Sequence, residues 1–168
     1  MPSSTSSPSP IPAPYRILFT IIEPLFATLG ALQSLLTPSL LASTTHPSIT
    51  YTPALRPLFT QSAGAWLMLA FHDAFTLRAP AYARDLRLWR HVLAAALLSD
   101  VGYTAGLVQS MGPRLFADPR RWDAASGITV VTTVVPMLAK VAFLAGVGLR
   151  EEGRVAEGER AEEDRKTR

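Results

Sequence analysis

Residues 91–111, HVLAAALLSDVGYTAGLVQSM, make an apolar run with a single carboxylate, Asp100, near its middle. As a helix the run is about 31 Å long, close to the thickness of a bilayer core. Inside lipid every backbone polar group needs a partner from the segment itself, so such a run has to be an α-helix. Asp100 then needs its own explanation. A charge at the bilayer centre costs about 2.5–3.5 kcal/mol on insertion scales, and a carboxylate kept there marks a functional-site candidate whose partner has to be found. The small and polar residues Ser99, Asp100, Gly102, Tyr103, Gly106 and Gln109 are expected to form the bundle-facing side, opposite Leu97, Val101, Thr104 and Val108. Gly102 and Gly106 form a GxxxG pair, a spacing that lets a neighbouring backbone approach closely.

The same reasoning extends along the chain. Of 168 residues, 48% are hydrophobic and 17% charged, and the apolar residues are gathered in runs, which is the composition of a polytopic membrane protein. The expected fold is all-α: a four-transmembrane-helix bundle over residues 15–149, with spans at 16–36, 57–77, 91–111 and 126–149. A disordered Ser/Pro-rich tail (1–14) precedes it and a charged cytosolic tail (150–168) follows. No secretory signal is expected, because no charge precedes Arg16 and Glu23 interrupts the first apolar run. There is no cysteine, which excludes disulfides, thiolate metal sites and a Cys nucleophile, and three scattered histidines give no zinc pattern; no metal and no cofactor is expected. The net charge of +3 comes from Arg-rich loops beside the spans, as the positive-inside rule requires, and not from a nucleic-acid-binding stripe.

Each span carries one polar face. In the first, Glu23, Ala27, Gly30 and Ser34 recur at helical spacing, and Pro24 directly after Glu23 removes a backbone donor and invites a kink. In the second, Trp66 and Asp73 share a face with His72 beside them, close enough to Arg78 for an interfacial role. Tyr82 and Trp89 in the following connector suit the headgroup belt. In the last, Thr129, Thr133, Pro136 and Lys140 align, and Ala142 with Gly146 offers another close-packing pair.

Arginines at 16, 78, 90 and 150 mark one end of each span, and their bias places both termini in the cytosol. The final RKTR is similar to dibasic retrieval signals of the endoplasmic reticulum. Measured from these arginines, Asp73 lies roughly 7 Å deep, Glu23 roughly 10 Å, and Asp100 and Lys140 both roughly 15 Å. An Asp100–Lys140 ion pair is therefore expected. Three acids against one lysine in low dielectric remain unbalanced, which favours one acid keeping its proton and acting as a proton donor.

FTIIEPLFATLGA in the first span and LLSDVGYTAGL in the third, within a four-span chain of this length, resemble a fungal family of small integral membrane proteins catalogued as a domain of unknown function. The resemblance covers about 15–150, carries over Glu23-Pro24 and Asp100-Val101-Gly102, and implies a fold without an activity. The architecture is more distantly similar to emopamil-binding-type sterol isomerases and to membrane-bound terpene cyclases of fungal secondary metabolism. That similarity implies an acidic intramembrane cavity that binds, isomerises or cyclises an apolar sterol- or terpenoid-like ligand. Glu23, Asp100 and His72 would be its acid–base residues, and Trp66, Asp73, Tyr103 and Lys140 would contact the ligand. Gly30, Gly102, Gly106 and Gly146 are the expected helix-packing glycines. The expected partners are the lipid bilayer, an apolar small molecule, and further copies or another chain in an oligomer. The competing reading is a non-enzymatic structural or partner subunit of a membrane complex, with its buried charges serving as glue.

Overall fold

In the computed structural model the described residues are 9–45 and 49–149, and among them there is no strand. Six helices follow in order: α1 (Ala13–Leu36), α2 (Pro38–Thr45), α3 (Arg56–Phe71, continued by a π turn, His72–Thr76), α4 (Leu86–Met111), α5 (Pro113–Phe116) and α6 (Ala124–Leu144). Helices α1, α4 and α6 are long and apolar enough to cross a membrane. The expected fourth span, 57–77, is helical but does not qualify with them. Gln61, His72 and Asp73 break up its apolar run. α1 lies along α3 and α4 along α6, while α2 folds back from the end of α1 to reach α6. There the Thr129 hydroxyl donates to the carbonyl of Thr44 at 3.2 Å.

The outward surface is leucine, isoleucine and phenylalanine: Leu25, Leu29, Phe75, Ile128 and Leu138 are all exposed, and Leu98 is 76% exposed. Contiguous apolar surface of this kind is what a bilayer solvates and water does not. The buried core is correspondingly small and sits at one end of the bundle. Ile11, Phe19, Leu77, Trp89, Leu93 and Phe143 form an aromatic plug there, and the Tyr15 hydroxyl ties it to the last turn by donating to the Val147 carbonyl at 3.0 Å.

Several expectations change at this level. Ile11 is 1% exposed and α1 begins at Ala13, so the chain is packed before residue 14; residues 1–8 and 150–168, the remainder of the two expected tails, lie outside the described residues. α4 begins five residues before the expected 91, because Asp85 caps it by accepting from the N–H groups of Arg87 (2.9 Å) and Leu88 (3.1 Å). That start draws Trp89 out of the headgroup belt and into the plug, where its indole N–H donates to the Tyr82 carbonyl.

The inward face of α4 runs Trp89, Leu93, Ala96, Asp100, Leu107, Met111, centred on Asp100 itself. Gly102 and Gln109, about 160–180° away at 100° per residue, point outward. Thr104, expected outside, faces Met137 instead. A Cβ added at Gly102 or Gly106 would meet nothing within 4 Å, so this pair packs no helix of its own chain. Gly146 is not a packing residue either: α6 ends at Leu144, and Gly146 takes φ +83° in the turn that stops it. At Gly30 the Trp66 ring stands 3.1 Å from where a Cβ would be.

Candidate functional site

Directly above the plug, Lys140 is fully buried and its ammonium donates to two carboxylates, Asp100 Oδ2 at 2.7 Å and Glu23 Oε1. Three helices thus converge on one nitrogen: α1 through Glu23, α4 through Asp100 and α6 through Lys140. The Phe19 ring lies beneath that nitrogen, its centroid 5.9 Å away, and adds a cation–π contact from the plug side. The expected Asp100–Lys140 pair is present. Glu23, counted as shallower, joins it because the long lysine side chain spans the difference in level.

Asp73 completes the acidic group. It is 1% exposed, lies within electrostatic reach of Glu23, Lys140 and Asp100, and among the described residues neither of its oxygens has a hydrogen-bond partner; the same holds for Glu23 Oε2. An interfacial anchor would reach water, and Asp73 does not. His72 takes the outward position instead. Successive helical residues point about 100° apart, so with Asp73 inward His72 is exposed, bonded only to Thr76 one turn on and set against the Phe71 ring. The structure does not bring His72 to the acids.

Both Glu23 and Asp73 adjoin widened turns. In α1 the π turn Leu18–Ile22 ends where the Glu23 N–H donates five residues back to Leu18. Pro24 explains it: the proline has no N–H for the preceding turn and its ring crowds that turn's carbonyl, and one extra residue relieves both. In α3 the π turn His72–Thr76 closes with Leu77 N–H donating to the His72 carbonyl at 3.0 Å, and the two π turns pack against each other. Single π turns inside α-helices recur at functional sites.

A cavity of about 570 Å³ runs from these acids toward the far end of the bundle. Glu23, Asp73 and Asp100 line it together with Trp66 and Tyr103, the hydroxyl residues Thr44, Thr45, Thr129, Thr132 and Thr133, and apolar Leu29, Leu69 and Ile128. The Trp66 and Tyr103 rings meet edge to face at 5.7 Å, and Tyr103 shares a side-chain hydrogen bond with Thr45. Volume and character, mostly apolar with a few convergent polar groups, are those of a small-molecule site. Lys140 does not line the cavity; it stands behind the two carboxylates that do. Leu41, Thr44 and Thr45 come from α2, in a stretch expected to be loop. Pro38 at its first position followed by SLLAS was the available signal. Among the described residues no group of three or more His, Asp and Glu side chains is arranged to hold a metal ion.

A family model described as "Domain of unknown function (DUF7704)" matches residues 8–150. The chain belongs to this family. The match takes in all six helices, the four charged residues and the cavity, so the site lies wholly within the family domain. No curated protein and no solved structure matches the chain. The likeness to sterol isomerases and terpene cyclases therefore gains no support from these comparisons.

Proposed function

We propose that this membrane protein binds an apolar molecule of sterol or terpenoid size in the cavity, with the ligand's polar or reacting group at Glu23 and Asp100, and performs acid–base chemistry on it. The observation that carries the reading is the cavity itself, which ends on carboxylates that a fully buried lysine partly neutralises. One ammonium compensates one carboxylate. A further acid in the same apolar place is best accommodated as a neutral proton donor, and a proton given to a ligand alkene or epoxide by one acid would be recovered from the adjacent carbon by another. Trp66 and Tyr103, which line the cavity, would supply π density to any positive charge that develops between those steps. His72 takes no part.

The reading includes four crossings, with α3 as the fourth, its polar face turned to the cavity and its apolar residues Met68, Phe71 and Phe75 to lipid. The reading takes both ends of the membrane domain to face the cytosol, on the arginine bias beside the spans, and a fungal host, on the resemblance described above.

The test is the melting temperature of purified protein with ergosterol and with farnesol, beside Glu23→Gln and Asp100→Asn, followed by mass spectrometry of the recovered lipid. A ligand-induced rise that either substitution abolishes, with an isomerised product from wild type alone, is the expected result. A ligand shift that survives in both variants would remove the acids from the site.

One observation favours a second reading, a structural or partner subunit. Gly102 is exposed, and a Cβ added at it or at Gly106 would meet nothing within 4 Å. Gly102→Leu disrupting an oligomer in cross-linking, without changing the melting temperature of the monomer, would establish this role.

A further inference from the structure

The two π turns leave a groove on the outside of the bundle, separate from the acidic cavity. It has a volume of about 440 Å³ and runs between α1, at Thr20, Pro24 and Thr28, and α3, from Leu67 past Phe71 to Arg78. Its chemistry is close to pure hydrocarbon. The Thr20 hydroxyl donates to the Arg16 carbonyl at 2.7 Å and the Thr28 hydroxyl to the Pro24 carbonyl at 2.7 Å, so both are consumed within their own helix. Phe71 and Phe75 are well exposed along its rim. Arg78 is the one charged residue that lines it; it sits at the mouth and is exposed.

The dimensions specify the occupant. From Leu67 to Arg78 is eleven residues, roughly 16 Å along a helix, and a bilayer core of about 30 Å gives each leaflet about 15 Å. A groove one leaflet deep, apolar throughout and ending in a guanidinium, matches one acyl chain with a phosphate at its head. The fork of a guanidinium binds phosphate oxygens in pairs. The geometry points to a bound anionic phospholipid, its acyl chain in the α1–α3 groove and its headgroup phosphate on Arg78. This site is independent of the acid cluster and of the function proposed for it.

The experiment uses full-length protein in detergent, with lipid retention counted by native mass spectrometry and melting temperature measured during titration with phosphatidylglycerol or phosphatidylcholine of identical chains. Phosphatidylglycerol is expected to bind roughly fivefold more tightly, the worth of one basic residue near an anionic headgroup. Arg78→Gln should abolish that preference. Arg87→Gln, exposed on the first turn of α4 and outside the groove, should keep it, and Ala74→Phe, which fills the groove, should lower retention of both lipids. Equal binding of the two lipids to wild type, or equal losses from the Arg78 and Arg87 variants, would overturn the assignment and leave an ordinary lipid annulus.

Discussion

Replacing Lys140 by methionine separates the charge of this residue from its bulk. The side chain is fully buried, and its ammonium is shared between Asp100 at 2.7 Å and Glu23. Methionine keeps the length and the contact with Phe19 but leaves two carboxylates facing each other in an apolar interior. Removing one member of a buried ion pair costs about 3–5 kcal/mol, because the remaining charge is uncompensated. A single interhelical hydrogen bond in a membrane averages only about 0.6 kcal/mol, so the size of the loss distinguishes a charge effect from a merely polar one. Stability is measured as the free energy of unfolding in mixed micelles titrated with dodecyl sulfate. The sign with pH follows from the chemistry: an orphaned carboxylate escapes its penalty by binding a proton, so the deficit of the variant should shrink as pH falls and be greatest at high pH. A second variant carrying Glu23→Leu and Asp100→Leu as well as Lys140→Met should recover most of the loss, since an apolar replacement of a whole buried charge group is often neutral or stabilising. A single variant within about 1 kcal/mol of wild type, well short of that range, would refute the argument: Lys140 would then not be holding the three helices through charge.

Gly30→Ala places a methyl where the Trp66 ring stands 3.1 Å away; overpacking of this kind should cost about 1–3 kcal/mol in the same assay and displace Trp66 from the cavity wall, readable as a shift in its fluorescence. Asp85→Ala removes the cap of α4 and should cost about 1 kcal/mol, with faster amide exchange confined to residues 86–89. Tyr15→Phe removes the bond to the Val147 carbonyl at a cost of about 0.5–1.5 kcal/mol; amide exchange in the turn after α6 should rise while that of α4 is unchanged.

The charge cluster was legible in the sequence because a bilayer leaves so few explanations for an ionisable residue. Depth along each helix is enough to bring Asp100 to Lys140, and the reach of lysine brings in Glu23. The polar stripe of α1 was legible for a similar reason: Glu23, Gly30 and Ser34 are the residues that lipid rejects or that allow close approach, and Ser34 does face α3, donating to the Phe59 carbonyl at 2.9 Å. What failed was orientation where composition and angle disagree. Gly102 and Gln109 look like interface residues by type, yet they stand on the far side of the helix from Asp100. His72 and Asp73 are neighbours of similar polarity, and only the rotation of the last turns of α3, widened by a π turn, decides which of them is buried. The α2 segment was missed because eight residues are too few for a periodic signal, and its contribution to the cavity depends on a fold-back that no local rule contains.

The position of the aromatic plug has a consequence for traffic. Ile11, Phe19, Leu77, Trp89, Leu93 and Phe143 are each at most 1% exposed and none of them lines the acid-based cavity, which stops at Glu23, Asp73 and Asp100. The chamber is closed at that end. A solute moving past the acids toward that end would first have to dismantle the buried plug. For the ligand proposed above, exchange would have to come from the sides away from the plug, where the lining residues Leu29 and Ile128 are exposed.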